Sequence, residues 1–208
     1  MRRSARQKWG AAGFWTNPKN AVKNYRFIGG TMTESIPTRY HPAHVAAHWL
    51  TALVVLMAIA AGMFLLPGVA ADDPQKPAML QTHMLVGGVI ALLTLSRLAM
   101  RFFFKMPAEA NEENKLLRFA ARATHTLLYV MLLGMAVSGL GLYQIVDLPA
   151  IFNGAKPYPQ DFFQYAPRIG HGLVAWSLLA LIGLHVGAAL FHQFIKKDNL
   201  LARMWFGK

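Results

Sequence analysis

The sequence predicts an all-α membrane protein, a four-transmembrane-helix bundle, and three observations lead there. The 208 residues are 55% hydrophobic and 14% charged, whereas a soluble domain carries about 25% charged residues. Four long stretches contain no Asp, Glu, Lys or Arg. The cations that remain lie almost entirely on one side of those stretches.

The first charge-free stretch runs from Tyr40 to Ala71, with Trp49 to Leu66 nearly all apolar. The second runs from Pro77 to Ser96, the third from Ala123 to Val146 and the fourth from Ile169 to Ile195. A helix needs roughly 20 apolar residues to cross a bilayer core, and each stretch is long enough. The segment between the third and fourth, Gln144 to Pro167, is polar and aromatic, and Phe152, Tyr158, Phe162, Phe163 and Tyr165 suit a short cap at the membrane–water boundary.

Eighteen of the 21 Lys and Arg fall before the first span, between the second and third, or after the fourth. The other side holds Lys76, Lys156 and Arg168. By the positive-inside rule both termini are cytoplasmic. Omitting residues 1–31 still leaves eleven against three.

Two domains are expected, a basic cytoplasmic tail without fixed structure at 1–38 and the membrane domain at 39–208. The tail has no apolar run suited to a signal peptide. Met32 is an alternative start, which would leave residues 1–31 untranslated. The net charge of +12 on so apolar a chain points to membrane lipid as the partner. No nucleic-acid partner is expected; only the detached tail has the charge for one.

Cysteine is absent, which excludes disulfides, thiolate zinc sites, Cys-ligated iron–sulfur clusters and covalent c-type haem. Eight histidines remain, and their depths sort them. His48 is nine residues from Arg39 and His185 eleven from Lys196, both deep on the inner side. His83 is seven from Lys76 and His171 three from Arg168, both on the outer side. His171 and His185 are fourteen residues apart, an advance of about 21 Å that falls about 40° short of four full turns, so they share a helix face. Two planar iron porphyrins could stack at those levels, each held by imidazoles from two helices. Gly87, Gly88, Gly170, Gly172, Gly183 and Gly187 beside the ligands would admit a macrocycle, although glycine also serves close helix packing alone. His41, His44 and His48 form an H-x-x-H-x-x-x-H pattern, a weak metal signal because Pro42 disfavours helix before it.

At these residues the sequence resembles the bacterial cytochrome b561 family. The matching stretches are HWLTALVVLM at 48–57, HMLVGGVIALLTLSRLAMR at 83–101, THTLLYVMLLGMAVSG at 124–139 and HGLVAWSLLALIGLHVGAALFHQFIKKDNLLARM at 171–204. The resemblance implies an inner-membrane bundle with two non-covalent haem b groups and axial ligands at His48, His83, His171 and His185, the four that depth selects. It also implies electron transfer with the quinone pool, and one branch of the family is similar to superoxide:quinone oxidoreductases.

The expected function is transfer of electrons across the membrane between an outer-face donor, superoxide or a redox protein, and quinone. His125 and Arg97 are candidates for the haem propionates. His192, Lys196 and Lys197, with Asp198, are candidates for a quinone site. Lys156 and Arg168 could draw a small anion to the outer face. Two alternatives stand beside this. One is a cytochrome b subunit that docks a partner dehydrogenase or hydrogenase. The other is a His-lined metal or proton transporter, which would call for acidic residues within the spans, where the sequence has none.

Overall fold

The structure is a computed structural model. It describes the backbone of residues 25–27 and 30–32, and residues 38–108 and 114–206 with their side chains. The chain divides into two units, Met1–Ile36 and Pro37–Lys208. In the first, Tyr25–Phe27 and Gly30–Met32 pair antiparallel, Tyr25 opposite Met32. Tyr, Phe and Thr are good strand formers, so this part of the tail holds a short ladder where none was expected. The alternative start at Met32 concerns a segment that otherwise lies outside the described residues.

The second unit is helical. Its four spans are Pro42–Gly68, Lys76–Phe103, Lys115–Ile145 and Ala166–Lys196, each long and apolar enough to cross a membrane. The last three are longer than their charge-free stretches, because Lys, Arg and aromatic residues extend the helices into the interface, whereas the first lies within its own, Tyr40 to Ala71. Pro42 occupies the first turn, and the His41 ring accepts the Ala43 N–H at 3.2 Å as the N-cap. Asn114 caps the third span by accepting the N–H groups of Leu116 and Leu117 at 3.0 and 3.1 Å. The first span contains a π-turn at Ala61–Leu65, and the fourth ends in another at Phe191–Lys196.

Close backbone packing joins neighbours in sequence: first with second, second with third, third with fourth. The bundle centre is an apolar layer of Val55, Ile90, Leu132 and Leu178, one residue from each span. Each lies seven residues from a histidine: His48, His83, His125, and both His171 and His185. Seven residues are two turns, about 10.5 Å. The histidines therefore form two levels, an outer one on the side of the Gln144–Pro167 loop and an inner one on the side of the C-terminal segment, with a layer of branched aliphatic side chains between them.

The outer loop forms the expected cap. A short helix, Leu148–Phe152, packs with Val146 over Leu80, Met84 and Leu142 of the second and third spans, and Tyr158, Phe162 and Tyr165 close over it. Burial raises the Tyr158 phenol above its ordinary range, with Arg168 opposing. Lys76, itself buried, donates to the carbonyls of Leu66 and Val69 (2.5 Å for the latter) and so terminates the first span.

At the inner end, Leu200–Met204 makes a 3₁₀ turn. Trp49 donates to the Met204 carbonyl at 2.7 Å, and Tyr40 N–H donates to the Arg203 carbonyl at 3.1 Å. The C-terminal segment is thereby tied under the start of the first span.

Candidate functional site

At the outer level, His83 of the second span faces His171 of the fourth, with ring centres 6.3 Å apart and planes at 68°. At the inner level, His48 of the first span faces His185 of the fourth at 6.2 Å and 69°. A ligating imidazole nitrogen sits about 2 Å from its metal with the ring centre about 1.1 Å behind, so two rings on opposite sides of one iron have centres about 6.2 Å apart. Both pairs match that separation. His125 also reaches the inner level, 5.2 Å from His185, about an ångström too close to share an iron across it.

The surroundings of the outer pair suit ligation. His171 Nδ1 lies 2.8 Å from Ser138 Oγ. Ser138 Oγ itself donates to the Met135 carbonyl at 2.9 Å. The hydroxyl proton is thus committed, so His171 Nδ1 carries the N–H and Nε2 keeps a lone pair, the tautomer that binds iron. A Cβ on Gly62 would come within 3.0 Å of His83 Cε1. The glycine in the π-turn of the first span is what lets the His83 ring lie there. His83 Nδ1 is buried without a partner.

The inner pair has the spacing but a different neighbour. Arg97 Nη2 lies 3.0 Å from His48 Nδ1. A guanidinium only donates, so Nδ1 accepts and the neutral ring holds its proton on Nε2. Ligation through Nε2 therefore requires Arg97 to release His48. Arg97 Nε is buried without a partner, and the guanidinium stacks 5.4 Å from the Tyr129 ring centre. Nε and Nη2 together offer the two-pronged donor set that a carboxylate takes, so a porphyrin carboxylate could draw Arg97 away.

Small residues leave the backbone open beside the histidines. The spans that carry the paired histidines, first with fourth and second with fourth, are not among the closely packed backbone pairs. A Cβ on Gly87, Gly88, Gly170, Gly183 or Gly187 would meet nothing within 4 Å. Gly172 differs: its open side is taken by Arg168 Nη1, 3.1 Å from where a Cβ would stand. The residues present fit bis-imidazole haem, outright at the outer level and after an Arg97 movement at the inner one.

Other expected residues divide. His192 Nδ1 is 2.6 Å from Asp198 Oδ2, because Lys197 in the left-handed region turns the chain back. Lys196 and Lys197 are exposed beside this pair. Lys156 is spent on Asp147 at 2.6 Å, a bond that holds the Asp147 carboxyl below its usual range. Arg168, over the Phe163 ring at 4.6 Å, is then the outer cation beside the His83/His171 pair. His41 stacks on Phe104 and His44 on Tyr40. The H-x-x-H-x-x-x-H pattern does not converge, and no cluster of three or more His, Asp or Glu that could hold a metal ion occurs among the described residues.

Ser138, Gly62 and the Arg97–His48 contact were not singled out from sequence. The only signal for Ser138 was its place at the end of the third matching stretch.

The sequence model of the family described as prokaryotic cytochrome b561 matches residues 39–207. The chain is 28% identical over 178 residues to cytochrome b561 homolog 2 of Escherichia coli, covering 81% of this chain and 92% of that one. It is 28% identical over 170 residues to cytochrome b561 homolog 1 of the same organism, covering 80% and 96%. It is likewise 28% identical over 170 residues to a probable superoxide oxidase CybB of Yersinia pestis, covering 80% and 95%. A four-span bundle with two facing histidine pairs and a match over nearly the whole membrane domain identify the chain as a member of the prokaryotic cytochrome b561 family, an integral inner-membrane b-type cytochrome of electron transfer.

Proposed function

We propose that this cytochrome is a two-haem relay that carries single electrons from a donor at the outer face to quinone at the inner face. The observation that carries the reading is the pair of histidine separations, 6.2 and 6.3 Å, at two depths of one bundle. His83 and His171 would hold one haem b, and His48 and His185 the other. When bound, each haem supplies a reversible one-electron couple.

Each residue's part follows from its chemistry. Ser138 keeps His171 in the ligating tautomer. Arg97 and His125 serve the inner haem's propionates, Arg97 through its otherwise unpartnered Nε. The layer of Val55, Ile90, Leu132 and Leu178 keeps water out of the space between the two levels. Arg168 offers a positive charge for a small anionic donor. Superoxide is such a donor, in keeping with the name of the Yersinia pestis relative. Two superoxide ions give up one electron each and leave as dioxygen, and one quinone takes two electrons and two protons to become quinol. His192, hydrogen-bonded to Asp198, is placed to pass protons at the inner end, with Lys196 and Lys197 beside it. Both termini are cytoplasmic and residues 1–38 form a separate tail in this reading.

The test is anaerobic mixing of the purified oxidised protein with a superoxide pulse in the presence of a short-chain quinone, following haem absorbance and quinol. Haem reduction followed by one quinol per two superoxide ions consumed is the expected result. Haem that is reduced by quinol but not by superoxide would overturn superoxide as donor and favour a docked dehydrogenase or hydrogenase.

A further inference from the structure

The two histidine levels differ in one cation. Arg97 Nη2 lies 3.0 Å from His48 Nδ1, and the guanidinium rests over the Tyr129 ring, 5.4 Å from its centre. No carboxylate pairs with Arg97 among the described residues. His48 is the one hydrogen-bond partner that this part-buried cation has there.

Either ring nitrogen of His48 leads to the same conflict. A metal at Nδ1 takes the lone pair that the guanidinium uses. A metal at Nε2 moves the ring proton to Nδ1, where it meets an N–H donor. Ligation at the inner level and the Arg97–His48 contact therefore exclude each other. Breaking the contact without a replacement leaves a part-buried cation with no hydrogen bond, which is the costly case. The best replacement is a carboxylate, which a guanidinium holds through two parallel N–H bonds. The four spans contain no Asp or Glu to supply one.

The outer level has no such contact. Ser138 keeps the His171 proton on Nδ1. Arg168 sits on the Phe163 ring with its Nη1 beside Gly172, and among the described residues it hydrogen-bonds neither imidazole.

We infer that Arg97 is a selectivity lock on the inner level, opened by a porphyrin that brings its own carboxylate. The inner pair discriminates against a porphyrin without acidic side chains through Arg97, and the outer pair does not. The inference rests on the two-haem reading and adds which porphyrins each level accepts.

The experiment titrates haem-free, detergent-solubilised full-length protein with haem b and with iron octaethylporphyrin, whose ring edge carries only ethyl groups. His83→Ala isolates the inner level and His48→Ala the outer one. In the His83→Ala background, Arg97→Met strengthens iron octaethylporphyrin binding about 10- to 100-fold, the scale of a charged hydrogen bond that no longer has to be broken. The same change weakens haem b binding there, and in the His48→Ala background it moves neither. A residue that merely partners the propionates gives no gain with iron octaethylporphyrin. Unchanged binding of that ring would therefore overturn the lock, while haem b binding to His83→Ala would still uphold the two-level reading. An equal gain for both rings would overturn the carboxylate as the group that opens it. Failure of His83→Ala to bind haem b would overturn the two-haem reading and the lock together. Nitrogen-15 NMR of the histidine-labelled, haem-free protein needs no change at Arg97. It shows His48 protonated on Nε2 and His171 on Nδ1, and a His48 proton on Nδ1 would overturn the lock.

Discussion

A single hydroxyl decides how the fourth span presents its outer histidine. Ser138 Oγ gives its proton to the Met135 carbonyl at 2.9 Å and so takes one from His171 at 2.8 Å. Ser138→Ala removes that acceptor, and haem affinity at the outer level falls about 10- to 100-fold, the usual effect of losing a ligand's hydrogen-bond partner. Haem titration of the apoprotein checks this, with inner-level binding as the internal control. Gly62→Val brings a branched side chain against the His83 ring, which already stands 3.0 Å from a single Cβ. Outer-level haem is lost in that variant while inner-level haem is kept, as the absorbance per chain reads out. The paired histidines were legible in the sequence because depth and helical phase follow from spacing along one chain. Ser138 and Gly62 were not, because each acts on a neighbouring span and its effect depends on how two helices approach.

The spans carry two further lessons. Charge-free stretches set where each helix crosses the bilayer but not where it ends, since the second span runs on to Phe103 and the third begins at Lys115. Hydrogen bonds and caps set the ends. Lys76 looked from sequence like an outer-face cation, yet its ammonium group is spent on two carbonyls at the end of the first span. Lys76→Met leaves those part-buried acceptors open and costs about 1 kcal/mol, seen as an earlier thermal transition in detergent with the haem spectrum unchanged below it. The Lys156–Asp147 bond is exposed on both sides and contributes little. Because Lys156 depresses the Asp147 carboxyl, whatever the pair adds is present above the ordinary carboxylate range and is lost as pH falls through the depressed value. Asp147→Asn therefore leaves the neutral-pH thermal transition within error.

Across the whole molecule the arrangement is layered, with histidines, four branched aliphatic residues and histidines again, all at seven-residue intervals. The bundle and its two levels could be read from the pattern of charges and histidines. The Arg97–His48 contact could not, since it joins side chains 49 positions apart. The proposed orientation has its own check. The chain has no cysteine, so single substitutions give clean labels. Gln160→Cys in the outer loop reacts with a membrane-impermeant maleimide in cells whose outer membrane is permeabilised, and Met106→Cys reacts only after lysis. The reverse pattern would invert the bundle.

The most direct test of the two-pair account is the number of haem b groups per chain, from the pyridine haemochrome of detergent-purified protein with its reduced-minus-oxidised spectrum. Two per chain are expected, falling to one in His83→Ala and one in His48→Ala, with the surviving spectrum different in the two variants. A single haem in the unaltered protein, or the same spectrum lost from both variants, would contradict it.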